Sequence, residues 1–257
     1  MLARALAHGL REFADLFGEP RHRGRRASCP ISIAVRVAHE CLEPIQVHNR
    51  TIFANRQDAG RQLVARLEDL RGRTDVLVLG LPRGGVPVAQ AVALELGAPL
   101  DVFVVRKLGA PQEPELALGA IASGGTIVLN RDVIDHLGVD AEHLQPIIDA
   151  QREEIEARER RYRGDRPSLD IAGHTVVLVD DGLATGATMR AAVSAVRSAT
   201  ANVIVAVPVG APEAVALLRE EADRVEALST PAGFTAVGLW YRDFRQVTDE
   251  EVRRLLE

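Results

Sequence analysis

Two adjacent carboxylates, Asp180 and Asp181, end the apolar run Val176-Val177-Leu178-Val179 and open the turn Gly182-Leu183-Ala184-Thr185-Gly186-Ala187-Thr188. The run is short and β-branched, the pattern of a strand buried on both faces. Met189, Ala192, Val193 and Val196 then recur at helical spacing. A strand–loop–helix of this kind suits an anion. Gly182 and Gly186 let the backbone fold back close to a ligand. The N–H groups opening the helix point into the loop, and the helix dipole adds partial positive charge there. Thr185 and Thr188 bring hydroxyl donors for phosphate oxygens. No Lys follows the second glycine, which excludes the GxxxxGK[ST] loop of nucleoside triphosphatases. Asp180 and Asp181 stand just before this cradle, where acceptors can hold two vicinal hydroxyls. A phosphate beside a diol describes a ribose 5-phosphate.

A second glycine loop follows a second buried run. Val76-Leu77-Val78-Leu79 leads into Gly80-Leu81-Pro82-Arg83-Gly84-Gly85 and then a helical stretch, Val86–Leu96. Inward N–H groups and the fixed charge of Arg83 suit a diphosphate. A third strand is expected over Asp101–Val105, ending in the basic pair Arg106-Lys107. Leu108–Leu116, with two prolines and two glutamates, is expected to be a mobile loop.

The order of apolar strand, two acids and a Thr-Gly-x-Thr loop resembles the phosphoribosyl pyrophosphate (PRPP) signature of type I phosphoribosyltransferases. The chain is most similar in outline to bacterial phosphoribosyltransferase-domain proteins of unassigned substrate, some fused to a hydrolase. No stretch matches the base-specific hoods of the adenine, hypoxanthine-guanine, uracil or orotate enzymes. The resemblance implies that Ala184, Thr185, Gly186, Ala187 and Thr188 grip the sugar phosphate, and that Asp180 and Asp181 hold the ribose hydroxyls and stabilise the charge developing on the sugar. It implies that Arg83, Gly84 and Gly85 form the pyrophosphate loop, often with a cis peptide, and that Arg106 and Lys107 approach the pyrophosphate, Lys107 being the better choice for chemistry. It also implies Mg²⁺, held mainly by PRPP, with Asp180 and Asp181 reaching it through water and no protein metal site directly assigned. A variable hood, residues 229–246, would hold the acceptor, with Trp240 or Tyr241 stacking a planar group such as a nucleobase. The activity implied is Mg-dependent transfer of ribose 5-phosphate to a base or other acceptor with release of pyrophosphate. Hydrolysis of PRPP, and sensing of PRPP or nucleotides without turnover, are the alternatives. A homodimer is left open.

The elements that must position these groups alternate regularly from about residue 51. Asp58–Leu70 reads as an amphipathic helix through Ala59, Leu63, Val64 and Leu67. Ala117–Ser123 and Thr126–Leu129 flank Gly124-Gly125, a hairpin signal. Asn130 caps a short helix to Leu137, and Asp140–Arg163 reads as a longer one with Leu144, Ile147, Ile148 and Ile155 inward. Strand Val203–Val207 is expected to end at Pro208, before helix Glu213–Glu221 and a last strand, Val225–Leu228. The predicted fold is a doubly wound, mostly parallel α/β sheet flanked by helices, with a hairpin and a small C-terminal hood.

Residues 1–50 read as an N-terminal extension. Leu2, Leu6, Leu10, Phe13 and Phe17 are roughly helically spaced, and Arg21-His22-Arg23-Gly24-Arg25-Arg26 is a basic linker-like run. With 257 residues and a net charge of −5, the chain shows no general basic footprint for nucleic acid. Cys29 and Cys41 suggest neither a disulfide framework nor a metal site, and a reducing cytoplasm is the plain expectation. His39-Glu40 lacks the second His of a zinc motif, and His136, His143 and His174 show no ligand spacing. No apolar run reaches the roughly 18 residues of a membrane span.

Overall fold

Five strands form one parallel sheet, and helices cover both of its faces. The computed structural model describes residues 52–110, 117–200 and 202–257, all within the unit Arg50–Glu257. The expected N-terminal extension, Cys29, Cys41, His39-Glu40 and residues 111–116 of the expected mobile loop lie outside the described residues. In chain order, the elements are α1 (Arg56–Leu63), β1 (Val76–Gly80), α2 (Gly85–Leu96), β2 (Leu100–Val102), β3 (Val105–Gly109), β4 (Ala117–Ala122), β5 (Ile127–Leu129), α3 (Arg131–Leu137), α4 (Ala141–Arg163), β6 (Thr175–Val179), α5 (Ala187–Arg197), β7 (Asn202–Val209), α6 (Pro212–Glu221), β8 (Arg224–Ser229) and α7 (Asp249–Leu256).

The parallel sheet has the order β2-β1-β6-β7-β8. β6 shows why its sequence carries no polar alternation. Val176 and Leu178 pack with Met189, Ala192, Val193 and Val196 of α5 on one face. Val177 and Val179 pack with Val88, Val92 and Leu96 of α2 and with Leu63 of α1 on the other. Both faces are covered, so every position from Val176 to Val179 is apolar. The winding reverses between β1 and β6, which are direct neighbours with Gly80 opposite Val179. That is the switch point where open α/β sheets leave a crevice at the carboxyl ends of their strands.

Four expectations are corrected. The strand expected over Asp101–Val105 stops at Val102, and Val105–Gly109 belongs to a separate antiparallel sheet of order β3-β4-β5. Phe103 still donates its N–H to Gly80, but Val104 exchanges bonds with Ser123, whose hydroxyl accepts from its N–H at 2.8 Å. The chain thus leaves the main sheet to join the hairpin, so Arg106 and Lys107 sit inside a strand rather than at its carboxyl end. The helix expected over Asp58–Leu70 ends at Leu63 and continues as two 3₁₀ turns, Val64–Arg66 and Glu68–Leu70. Pro208 lies within β7, beyond Ala206, the last residue paired to β6. The hairpin turn is longer than two residues: Ser123–Gly125 is a 3₁₀ turn closed by Ala122 N–H to the Thr126 carbonyl. Its two glycines, at φ of 76° and 77°, adopt the left-handed backbone that the Gly-Gly signal implies.

The hood is a 3₁₀ turn, Val237–Trp240, tied to the start of the described chain by Phe53 N–H to the Trp240 carbonyl and Arg242 N–H to the Phe53 carbonyl. Among the described residues no helix is long and apolar enough to cross a membrane.

Candidate functional site

The loops after β1 and β6 meet at the switch point, and glycine is what lets them. Leu81 N–H donates to the Val179 carbonyl, and Gly85 N–H closes the turn on the Leu81 carbonyl. The Pro82–Arg83 peptide bond is cis. A β-carbon at Gly84 would lie 2.1 Å from Asp181 Oδ2, and one at Gly85 would lie 2.6 Å from the Val179 carbonyl and 2.8 Å from the Asp180 Cα. No side chain fits either position.

The two acids are not equivalent. Asp180 accepts the Asp181 N–H on Oδ1 at 2.8 Å. Asp181 turns Oδ2 to Arg56, whose Nε donates at 2.8 Å. The same guanidinium donates from Nη1 to the Arg245 carbonyl at 2.8 Å and lies over the Phe244 ring, 3.9 Å from its centroid. Tyr241 donates its hydroxyl to the Asp181 carbonyl at 2.6 Å. Burial raises the Asp180 carboxyl well above the usual aspartate value, and the neighbouring charge of Asp181 pushes the same way. Burial also raises Asp181, against the pull of Arg56.

Sequence reading missed Arg56. The signal was its spacing: it stands three before Ala59 and seven before Leu63, on the inward stripe of α1, where a charged residue calls for a buried partner. That the partner is Asp181, 125 positions away, is not readable from spacing.

The phosphate-type turn is pinned at its middle and open at its tip. Leu183 donates to the Val209 carbonyl and accepts from Ala211 N–H. Gly186, at φ 73°, precedes the first residue of α5, and the first bond of the helix runs from Arg190 N–H to the Gly186 carbonyl. The N–H groups of Ala187, Thr188 and Met189 therefore face out of the helix start. Ala187 N–H also reaches Thr185 Oγ1 at 3.4 Å. Ala184, Thr185, Ala187 and Thr188 are exposed. Val237 of the hood turn lies over the loop, so a β-carbon at Gly182 would come 2.6 Å from its Cγ1.

The basic groups separate. Arg83 is partly exposed and faces Asp249 of α7 at 3.8 Å. Arg106 and Lys107, consecutive in β3, point to opposite faces. Arg106 donates to Gln151 Oε1 of α4 at 3.0 Å. Lys107 is exposed and lines a cavity of about 760 Å³ with Ala187 and Thr188 at the start of α5. Of Arg83, Arg106 and Lys107, Lys107 is the one that lines a cavity with the phosphate-type turn. The expectation that Trp240 or Tyr241 offers an open face is corrected: each ring is 6 % exposed and packs with Phe53, Ala59 and Val209. These are core rings because the residues that carry them pack down onto Phe53 and α1.

Among the described residues no group of three or more His, Cys, Asp or Glu side chains is placed to hold a metal ion. Asp180 and Asp181 are oxygen donors of the type Mg²⁺ takes. These two carboxylates, one of them ion-paired to Arg56, are the donors the acid turn would offer such a cation.

The phosphoribosyl transferase domain model matches residues 48–239. Rv0571c of Mycobacterium tuberculosis, provisionally named a phosphoribosyl transferase, is 49 % identical over 207 residues, covering 80 % of this chain and 46 % of that protein. The chain thus spans about half the length of the curated relatives it matches. The crystal structure of TT1426 from Thermus thermophilus is 48 % identical, with a TM-score of 0.73, covering 80 % of this chain and 97 % of that one.

Proposed function

The chain belongs to the phosphoribosyl transferase domain family, and from that premise we propose that it transfers the ribose 5-phosphate of PRPP to an acceptor with release of pyrophosphate. The carrying observation is the contact between the two glycine loops at the switch point, with Gly84 against Asp181. A ligand with phosphoryl groups at both ends of a sugar is the chemistry that two such N–H-bearing loops around a carboxylate would recognise.

In this reading the sugar phosphate sits on the N–H groups of Thr185 to Thr188, with the two threonine hydroxyls as further donors. The ribose diol donates to the acid turn. The bond from C1 to the pyrophosphate oxygen breaks, its electron pair leaving with pyrophosphate, and an acceptor lone pair forms the new bond to C1. The carboxylates of the acid turn stabilise positive charge growing on the sugar ring. Arg83 offsets negative charge on the leaving group, and Lys107, beside Ala187 and Thr188, adds positive charge on the side of the sugar phosphate. Mg²⁺ bound with PRPP, reached by Asp180 and Asp181 through water, would neutralise further charge on the diphosphate. The burial of Trp240 and Tyr241 takes the expected stacking surface away, so the acceptor stays unassigned.

The test is pyrophosphate release from PRPP with magnesium, with and without a panel of nucleobases and other nucleophiles. Release that requires one acceptor supports transfer. Release without any acceptor supports hydrolysis, and tight PRPP binding without release supports sensing. Absence of both binding and release overturns the reading.

A further inference from the structure

We propose that Arg56 is a positioning residue that fixes the Asp181 carboxylate in one orientation, so that the acid turn presents Asp180 Oδ2 and Asp181 Oδ1 to the ribose diol. The proposal rests on the phosphoribosyl reading above.

Asp181 is held at its Oδ2, its carbonyl and its N–H. Its Oδ2 accepts from Arg56, its carbonyl accepts from Tyr241, its N–H donates to Asp180, and the Gly84 backbone presses against its carboxylate. Its side chain is 14 % exposed and that of Arg56 10 %. Asp180 spends Oδ1 on the Asp181 amide, and among the described residues its Oδ2 accepts no hydrogen bond. Among the described residues Asp181 Oδ1 accepts none either, and these two oxygens are the ones offered to the sugar hydroxyls.

Arg56 is built for a single orientation. Nε goes to Asp181, Nη1 goes to the Arg245 carbonyl, and the guanidinium plane rests on Phe244. Three demands in three directions need a rigid planar fork. A lysine ammonium carries the charge without that geometry. Because α1 precedes β1 and the hood closes over it, one side chain ties the acid turn to the residues after Trp240. It also offsets one of two adjacent negative charges, leaving the pair with a net single charge.

The variants are Arg56→Lys, Arg56→Met, Asp181→Asn and the double Arg56→Met/Asp181→Asn, compared in pyrophosphate release, PRPP and ribose 5-phosphate binding by calorimetry, and thermal unfolding. Loss of a preorganised electrostatic group sets the scale. Arg56→Met is expected to lose about 100-fold in kcat/KM, Arg56→Lys about tenfold, and the double variant no more than the worse single one, since the two residues act as a unit. Arg56→Met should also move the acid limb of the pH profile upward, because the cation that opposes the burial of Asp181 is gone, and Asp181→Asn in the same chain should move it back. A lower melting temperature with unchanged kcat/KM and an unmoved pH profile would show a purely structural role and overturn the proposal, as would losses that multiply in the double variant. A wild-type chain that binds ribose 5-phosphate but releases no pyrophosphate overturns transfer, and weaker sugar-phosphate binding in Arg56→Met then supports the positioning role. Unchanged binding in that variant overturns it, and a wild type that binds neither compound overturns both.

Discussion

Gly84 lies so close to Asp181 that a β-carbon at residue 84 would come 2.1 Å from Oδ2 and 2.7 Å from the carboxyl carbon. Neither partner can yield: the carboxylate is held by Arg56 and the glycine by the turn that Gly85 closes on Leu81. Gly84→Ala is therefore expected to destabilise the chain by about 1–3 kcal/mol through overpacking and to abolish PRPP binding by separating the loops. Denaturant unfolding and calorimetry measure the two effects. A variant of normal stability and affinity would mean that the loops do not work as one surface.

Asp180 gives the pH-dependent expectation. Its carboxyl is raised above the ordinary aspartate value of 3.8, chiefly by burial and then by Asp181. Between that value and its raised native one, the folded state binds more protons than the unfolded state. Stability therefore falls as pH rises through this window. Asp180→Asn cannot ionise, so it is expected to melt above wild type at pH 8, with the gap closing toward pH 4. The same variant is expected to lose about 100-fold or more in pyrophosphate release, the scale of a lost electrostatic group. A stabler but less active protein is the signature, read by thermal unfolding across pH and by turnover. Equal melting at pH 8 would refute it.

The sequence carried the site's chemistry further than its geometry. β6 was legible because burial on both faces leaves an unbroken apolar run, and the turn after it because Asp, Gly and Thr at that spacing have few other uses together. The break between Val102 and Val105 was not legible. Asp101–Val105 is apolar enough for one strand, and only the pairing of Val104 with Ser123, 19 residues on, redirects it. Trp240 and Tyr241 have the composition of a stacking surface, and long-range packing on Phe53 turned them inward. Arg56–Asp181 and Arg163–Asp101 are pairs between distant segments, and no local pattern encodes a partner.

Arg163 grips Asp101 through Nε at 2.8 and 2.9 Å and gives Nη2 to the Val102 carbonyl, with the side chains only 7 % and 9 % exposed. This joins the end of α4 to β2, just before the chain crosses into the antiparallel sheet. Arg163→Met leaves a buried carboxylate unpaired and is expected to cost about 3–5 kcal/mol, while Arg163→Met with Asp101→Leu recovers much of that loss. Denaturant midpoints of the three proteins check it. An undiminished loss in the double variant would locate the effect in the Val102 carbonyl bond instead.

Lys107 and Arg106 test whether the basic pair acts as a pair. Alternation along β3 sends Arg106 to Gln151 and leaves Lys107 at the cavity it shares with Thr188. Lys107→Ala is expected to lower kcat/KM for PRPP by about 10- to 100-fold, within the range of one lost electrostatic contact to the substrate's phosphate groups. The deficit should shrink as wild-type activity falls with added salt, because an exposed cation is screened. Arg106→Ala is expected to stay within about threefold of wild type, since its guanidinium is committed to α4 on the far face of the sheet. Steady-state kinetics at two ionic strengths separate the residues. Equal losses would require the strand to turn over when substrate binds, and the alternation seen in the free chain would then not describe the working site.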